Sequence, residues 1–514
     1  MRKTAVSVML LTVLSKVSGF AREIALSYVY GASAITDAYL TSQTIPSVMF
    51  SMIAAGIAAS FIPLYSRELN KHGKQNADRF MSNLINLLFL LTSLLVAFVV
   101  GFARPIVRGF ASGLTAETQD LAVMLSRISI FSIYFNGLAH VLANYLRMHG
   151  NYVVPSLLPV SVNVLIIVSL FISRKTSLSV LAVGSALAAG SQVVVTSYFV
   201  RRLRYKHKLL LRPADDLMRE VAVVSFPMIV GMSLNEINVL VDRSLASNIS
   251  VGAISTLNYA NRLVNFVHGL CVLSVTTVLF PRVAKMVAEG DVKAFKASLT
   301  EALSMVNFLV VPATVGTVVF SEEIVRFLFA RGAFTEEATL QTGEALLFYS
   351  FGMLALGARD VFMRCLFALK DSKTPMTNTM AGVVVNVILS ILLSRPLGVA
   401  GIALATSIAS MVTALRMFVT LRRRIGPFGF RELLRSLSRV LLASILMGCV
   451  AKVSFILLRS KLMERMALSL AICAGVLAYI IFAMMFHVPE IERTMKVVKR
   501  KLVAILGRES VQTH

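Results

Sequence analysis

Residues 84–102 read LINLLFLLTSLLVAFVVGF, a run of nineteen residues without a charged side chain. A helix rises 1.5 Å per residue, so a run of this length crosses a hydrocarbon core about 30 Å thick. Similar runs recur along the whole chain, which is 57% hydrophobic with a mean hydropathy of +0.78. A soluble domain is typically only about 45–50% apolar. The sequence therefore predicts an all-α polytopic membrane protein.

Charges and turn residues divide the chain into about 14 transmembrane helices. We place them at about 4–30, 36–64, 80–103, 120–148, 154–173, 178–200, 218–246, 252–281, 296–320, 338–369, 376–394, 398–421, 433–458 and 464–487. An even number of helices puts both termini on one side of the membrane. Most of the 51 Lys and Arg residues lie in the termini and in alternate loops. Cytoplasmic loops carry the excess of Lys and Arg, so we predict that both termini are cytoplasmic.

The basic charge does not indicate nucleic-acid binding. The formal net charge is +25, but the Lys and Arg residues lie between the apolar runs and form no patch with interleaved aromatic residues. The four cysteines lie in or beside apolar segments, without the spacing of metal ligands. The sequence also has no nucleophile elbow and no phosphate-binding glycine loop. We therefore expect a transporter, and neither an enzyme nor a nucleic-acid partner.

The two halves of the chain resemble each other at positions roughly 220 residues apart. Pro63 aligns with Pro281, and the Ile-Val-Arg triplet at 106–108 aligns with the one at 324–326. Six helices per copy make the copies parallel, a transporter plan in which the substrate binds between the halves. We predict two parallel six-helix repeats plus two extra C-terminal helices. The predicted boundaries are an N-terminal lobe at 1–205, a C-terminal lobe at 206–425, the added helix pair at 426–490 and a basic cytoplasmic tail at 491–514.

Charged side chains inside the predicted spans indicate a candidate site. A charge near the bilayer centre costs from about 2.5 to well over 10 kcal/mol, so it normally faces water or a partner. The first span contains SKVSGFARE (15–23), with Lys16, Arg22 and Glu23. Asp37 opens the second span. We predict that these residues line a polar cavity.

The seventh span carries a polar face. Within SLNEINVLVDRSLAS (233–247), Asn235, Asn238 and Asp242 are separated by three and four residues. Residues with this spacing share one side of a helix. Arg243 follows directly, so the span also contains a cation. A purely structural helix would not require such a face.

The eighth span repeats this spacing, because LNYANRL (257–263) places Asn258 four residues before Arg262. We predict a cavity between the two halves in which Lys16, Arg22 and Arg262 hold an anionic group. Arginine suits this role, because its guanidinium binds two phosphate oxygens at once. The alternative is mutual neutralisation, in which neighbouring carboxylates pair with the arginines only to allow insertion into the membrane.

These segments resemble the MurJ (MviN) lipid II flippases, a family of the multidrug/oligosaccharidyl-lipid/polysaccharide exporter superfamily. The resemblance covers nearly the whole chain. It lies in SKVSGFARE, TDAY (36–39), the NxxxDRxLAS pattern (238–247), LNYANRL, RGAFT (331–335) and FALKDSKTP (367–375). It implies the same helix count, two pseudo-symmetric lobes and an added helix pair that forms a groove for a lipid tail.

The resemblance also implies roles for individual residues. Arg22 and Arg262 match the family's cavity arginines, and Lys16 stands where an arginine is common. Asp37 matches an acidic position of the family. One departure is Phe50, which stands where some relatives have an arginine. The implied cavity is therefore less charged in the second span.

A sodium site is also implied, between the seventh, eleventh and twelfth helices. It would fall on Asp242, Asn386 and Thr406, whose oxygens suit a hard cation. Ser390 stands at a position of this site that is often acidic, which weakens the ligand set. Apart from sodium as a coupling or structural ion, no cofactor is expected.

The implied function is the transfer of lipid II, the undecaprenyl-pyrophosphate-linked peptidoglycan precursor, to the outer face of the bacterial cytoplasmic membrane. Membrane lipids and cell-wall synthesis proteins are the other expected partners. A flippase for another polyprenyl-linked glycan, such as a surface polysaccharide or teichoic-type precursor, stays open, because arginines recognise the pyrophosphate and not the sugar. A drug exporter would favour an acidic, aromatic-lined cavity. A membrane glycosyltransferase should have a large outer loop with a catalytic carboxylate or histidine.

Overall fold

The computed structural model describes the backbone of residues 2–371 and 373–492, and their side chains except those of residues 2–6, 234, 235, 273 and 278. The described residues form α-helices joined by turns, with no β-strand among them. The helices are α1 (Arg2–Tyr30), α2 (Ala34–Gly101), α3 (Ala103–Phe110), α4 (Ala116–Ser129), α5 (Ser132–Met148), α6 (Val153–Ser173), α7 (Ser179–Arg202), α8 (Asp216–Ser247), α9 (Ala253–Ala288), α10 (Val292–Val319), α11 (Ser321–Phe329), α12 (Glu336–Ser350), α13 (Met353–Ala368), α14 (Lys373–Ile425), α15 (Phe430–Arg459) and α16 (Glu464–Met485).

Ten helical segments in the described part are long and apolar enough to cross a membrane, and α12 with α13 form an eleventh if one span contains their 44° bend. Two of the ten are much longer than one crossing needs, with 68 residues in α2 and 53 in α14. Each is interrupted by a glycine with non-helical backbone angles, Gly73 in α2 and Gly398 in α14. Each therefore holds two predicted spans. Helix α1 is not among the ten but covers the first predicted span, and the later spans follow in the predicted order. The predicted fold class, an all-α polytopic membrane protein, is confirmed.

The chain forms two compact units. The first contains residues 1–259, 328–339 and 387–402, and the second contains 260–327, 340–386 and 403–514. Helix α8 belongs to the first unit because it packs closely along α2, where the Ser225 hydroxyl donates to the Gly56 carbonyl at 3.0 Å. The predicted lobes follow the sequence repeat and not compactness, so their boundaries stay a prediction. The predicted tail lies outside the described residues from residue 493 onward.

The end of α1 is fixed by the RGAFT segment. Gly31 and Gly332 both have positive φ angles, +66° and +65°. The Ala333 N–H donates to the Tyr28 carbonyl at 3.0 Å. A Cβ on Gly332 would lie 2.2 Å from the same carbonyl oxygen, and a Cβ on Gly31 would lie 2.2 Å from the Ala333 carbonyl oxygen. Both positions therefore require glycine, and the contact positions the half of α1 that carries Arg22.

The start of α2 is joined to the start of α9 by Asp37. Its buried carboxylate accepts hydrogen bonds from the Gly252 N–H at 2.7 Å, the Ser255 N–H at 2.8 Å and the Ser255 hydroxyl at 2.7 Å. Helix N-termini carry unpaired N–H groups and a partial positive charge, so a carboxylate there caps the helix. One turn further on, the Tyr259 hydroxyl donates to the Gly31 carbonyl at 3.1 Å.

In the second unit, Asp371 and Thr374 form a helix cap outside the predicted spans. Asp371 accepts hydrogen bonds from the Thr374 N–H at 3.0 Å and from the Thr374 hydroxyl at 2.7 Å, and it pairs with Arg424. Desolvation would raise the pKa of Asp371, but the Thr374 hydrogen bonds and the Arg424 charge hold it below its usual value. The motif therefore fixes the beginning of α14.

Candidate functional site in the first unit

A polar cluster interrupts the first predicted span. We call Ser18, Arg22, Glu23, Asn163 and Asn258 the Arg22 cluster. Arg22 Nη2 lies 2.7 Å from Glu23 Oε1, and Arg22 Nη1 donates to Asn163 Oδ1 at 3.2 Å. Asn258 Nδ2 donates to Glu23 Oε2 at 3.2 Å, and Asn163 Nδ2 donates to Ser18 Oγ at 3.0 Å. Three helices, α1, α6 and α9, therefore contribute to one network.

The Arg22 cluster contains one cation and one anion. Burying two charges costs several kcal/mol for each ion, unless the pair has good geometry and its remaining atoms are hydrogen-bonded. Glu23 is 3% exposed, whereas Arg22 is 26% exposed. These contacts use two of the five N–H donors of the guanidinium. The neutralising pair that the sequence offered as the alternative is thus present, and Arg22 still has donors and exposed surface for an anionic ligand.

Asn163 is the member of this network that the sequence analysis missed. It lies in α6, within the apolar segment VVPSLLPVSVNVLIIVSLFIS, and is buried. An amide in the middle of an apolar span needs a hydrogen-bonding partner. The sequence therefore contains a signal at Asn163, but no spacing rule connects this residue to Arg22, which lies 141 residues earlier in the chain.

The other residues predicted to bind substrate have varied surroundings. Lys16 and Arg262 are exposed, Lys16 in the first unit and Arg262 in the second. Asp37 caps α9, and Arg243 interacts with it electrostatically. The side chain of Asn235 lies outside the described residues. Substrate contact by these residues stays a prediction.

Two of the three residues of the predicted polar face of α8, Asn238 and Asp242, contact each other among the described side chains. Asn238 Nδ2 donates to Asp242 Oδ2 at 3.4 Å, and Ser390 Oγ donates to Asp242 Oδ1 at 3.0 Å. The Ser51 hydroxyl donates to Glu236 Oε1 at 2.6 Å, which ties α2 to the same helix. Glu236 is therefore a second intramembrane carboxylate held by a neutral donor.

Two of the residues implied for sodium are paired in the second unit, where Asn386 Nδ2 donates to Thr406 Oγ1 at 3.0 Å. Amide, hydroxyl and carboxylate oxygens are the donors that a hard cation takes. Among the described residues there is no group of three or more His, Cys, Asp or Glu side chains placed to hold a metal ion. Sodium binding stays a prediction.

Many apolar helical spans with charged and amide side chains inside them are typical of a membrane transporter. The comparisons identify the family within this class. The family model described as lipid II flippase MurJ matches residues 26–474. The chain belongs to the MurJ lipid II flippase family, which consists of transporters and not enzymes.

Relatives and solved structures agree with this assignment. The chain is 30% identical over 461 residues to a probable lipid II flippase MurJ of Rhizobium meliloti, covering 86% of this chain and 84% of the relative. It is 28% identical over 490 residues to one of Thermotoga maritima, covering 94% and 96%. A solved lipid II flippase MurJ in an inward closed conformation superposes with a TM-score of 0.82 at 27% identity, covering 93% of this chain and 98% of that one. An inward-facing MATE multidrug transporter, at 16% identity and a TM-score of 0.68, covers 82% and 98% and shares the fold alone.

Proposed function

We propose that this chain translocates lipid II from the cytoplasmic to the outer face of the bacterial cytoplasmic membrane by alternating access. The family match over residues 26–474 is the observation that carries the proposal. Charged pyrophosphate cannot cross hydrocarbon unaided, because desolvating an unpaired ion is too costly. A polar site replaces the water around the headgroup, while the prenyl tail stays in the lipid.

In this proposal Arg22 binds the pyrophosphate. Glu23 and Asn163 hold its guanidinium, each by a hydrogen bond, so the remaining N–H groups keep a fixed direction. Lys16 and Arg262 add positive charge for the same headgroup. Pre-organised donors of this kind can bind two oxygens of one phosphate group without first having to be oriented.

The remaining predicted residues complete the proposal. Asn235, Asn238, Arg243 and Asn258 supply polar contacts, and Asp37 supports them by holding the start of α9. Sodium, when bound, would be held by Asp242, Asn386 and Thr406 and would neutralise a carboxylate in the membrane. Both termini are cytoplasmic, and cell-wall synthesis proteins are the proposed protein partners.

A depletion and complementation test measures this function. Cells lacking their own lipid II flippase receive wild type, Arg22→Ala, Arg22→Lys or the matched control Arg104→Ala. Arg104 also pairs with a carboxylate, Asp120 at 2.6 Å, but both side chains are exposed, Arg104 in the short helix α3 and Asp120 near the start of α4. We expect wild type and Arg104→Ala to restore outer-face lipid II, scored with a membrane-impermeant label. Arg22→Ala should fail, and Arg22→Lys should restore less than wild type, because lysine lacks the bidentate fork.

The test also separates the alternative function. If wild type is present in the membrane at normal levels but no lipid II reaches the outer face, lipid II is not the substrate. The same cells are then assayed for another polyprenyl-linked glycan. If Arg22→Ala restores outer-face lipid II fully, the Arg22 cluster is structural and the proposed binding role is wrong.

A further inference from the structure

The basic linker between α7 and α8 follows an extended path along α2. We call residues 204–212, RYKHKLLLR, the linker strap. Asn86 Nδ2 donates to the backbone carbonyls of Lys208 at 3.0 Å and Leu210 at 2.8 Å, while Asn86 Oδ1 lies 3.0 Å from His207 Nε2. A single asparagine of α2 thus holds three successive parts of the strap.

A second set of contacts fixes both ends of the strap. Asn83 pairs with the backbone of Arg212, donating to its carbonyl at 3.0 Å and accepting from its N–H at 2.8 Å. The Tyr205 hydroxyl lies 2.9 Å from Ser82 Oγ. Burial raises the pKa of Tyr205 to about 12, so its hydroxyl stays protonated. The strap is therefore a fixed element and not a loose linker.

These contacts also set the depth of the strap in the membrane. The apolar run at 84–102 begins next to Asn83 and contains Asn86. The strap therefore lies where α2 enters the hydrocarbon, at the level of the lipid headgroups and the first acyl carbons. Side chains on its outer surface face this interface.

The outer surface of the strap combines leucine with positive charge. Leu209 is 95% exposed and Leu211 is also exposed, which is unfavourable for leucine in water. Lys206, Lys208 and Arg212 are exposed beside them. The sequence from 201 to 214 contains no acidic residue. Clusters of four to eight Lys and Arg next to a cytoplasmic membrane surface attract anionic lipids.

We propose that the linker strap binds the phosphodiester headgroups of anionic phospholipids in the cytoplasmic leaflet, with Leu209 and Leu211 inserted at the top of the acyl chains. The inference rests on the proposed cytoplasmic orientation and not on lipid II transport. Phospholipid is the occupant that matches both parts of the surface, because it offers negative charge and hydrocarbon within a few ångströms of each other. A protein partner would have to present negative charge and apolar side chains within the same small patch.

The chain contains no tryptophan, so one introduced tryptophan reports its own surroundings alone. Leu209→Trp is reconstituted in bilayers that contain equal mole fractions of brominated phosphatidylglycerol or brominated phosphatidylcholine, which quench tryptophan on contact. We expect stronger quenching by the brominated phosphatidylglycerol. The matched control is Leu94→Trp, an exposed position deeper in the apolar run of α2, which should be quenched equally by both lipids.

A variant without the basic side chains of the strap tests whether their charge causes the preference for the anionic lipid. Leu209→Trp is combined with Lys206→Gln, Lys208→Gln and Arg212→Gln, which leave the backbone contacts of the strap in place. Each basic group strengthens binding to an anionic surface about fivefold, so the triple change should weaken it about a hundredfold and remove the lipid preference. Quenching by both lipids should remain. If both brominated lipids quench Leu209→Trp equally while the three basic residues are still in place, the proposal is wrong. If neither lipid quenches it, Leu209 faces water or a protein, and the proposal is also wrong.

Discussion

Two arginine–glutamate pairs in the first unit differ in burial and not in chemistry. Arg22 and Glu23 approach to 2.7 Å through one contact, with 26% and 3% of the side chains exposed. Arg67 and Glu220 form two contacts, at 2.8 and 2.5 Å, with 37% and 40% exposed. The exposed pair has the better geometry. Water and salt compete for its charges, however, whereas little water reaches Glu23.

The comparison shows that the surroundings, and not the number of contacts, decide what an ion pair does in this molecule. The Arg22 pair is surrounded by amides, Asn163 and Asn258, which satisfy atoms that water cannot reach. The Arg67 pair joins α2 and α8 where water can replace either partner. We therefore expect changes in the first pair to affect both folding and transport, and changes in the second to affect neither strongly.

The largest effect is expected for Glu23→Ala. It leaves the Arg22 charge without its carboxylate in the membrane, and breaking a buried pair in this way costs about 3–5 kcal/mol. Thermal unfolding of the purified protein should show a large loss of stability, and cells that depend on the variant should not export lipid II.

A double change separates folding from binding. Replacing both partners of a buried pair by apolar residues is often close to neutral for stability. Arg22→Met with Glu23→Leu should therefore recover part of the unfolding temperature lost in Glu23→Ala, limited by the hydrogen bonds that Asn163 and Asn258 lose, but it should not recover transport. If the double variant transports lipid II, Arg22 does not bind the headgroup.

Asp37→Ala is expected to have the next largest effect. It removes three hydrogen bonds to the start of α9 and leaves buried N–H groups without an acceptor, at about 1–3 kcal/mol for such a group. Stability and transport should fall together, because the residue acts through the position of α9. Normal thermal unfolding combined with lost transport would instead indicate direct contact with the substrate.

Asn163→Ala should have a moderate effect. Hydrogen bonds between membrane helices contribute on average about 0.6 kcal/mol and at most about 1.7 kcal/mol. The variant should remain folded but require more lipid II for half-maximal binding, because Arg22 loses one of the groups that orient it. Gln192→Ala is the matched control, since it removes another amide contact within the same unit, to Asn136 at 3.2 Å. If Asn163→Ala and Gln192→Ala bind lipid II equally well, Asn163 does not contribute to the substrate site.

The sequence was sufficient for the membrane fold because a span is a local property. Each apolar run must be long enough to cross the bilayer wherever its neighbours lie, so the spans could be counted without knowing the packing. The hydrophobic pattern also separated the two spans within α2 and the two within α14. It did not show which residue makes each break; the structure places non-helical backbone angles at Gly73 and Gly398.

The candidate site was only partly predictable because its contacts are far apart in sequence. The segment that contains Arg22 and Glu23 stood out as charge in an apolar run. Asn163 had no sequence link to them, and Asp37 gave no sign that its partner is the start of α9, 215 residues later. The charge in the second span predicted that Asp37 lines a polar cavity, and it gave no sign that the carboxylate accepts hydrogen bonds from two backbone N–H groups and a serine hydroxyl.

The smallest effect is expected at the exposed pair. Arg67→Glu or Glu220→Arg alone places like charges side by side and should slightly lower the unfolding temperature at low salt, while the double exchange restores the attraction with reversed polarity. Added salt should remove the difference between single and double variants, because exposed charges are screened over about 8 Å at physiological ionic strength. Transport should be close to wild type in the double variant. A strong transport defect that the exchange does not repair would mean that this edge of α2 and α8 has a role that depends on the individual residues. The contrast with the Arg22 pair would then lie in function rather than in burial.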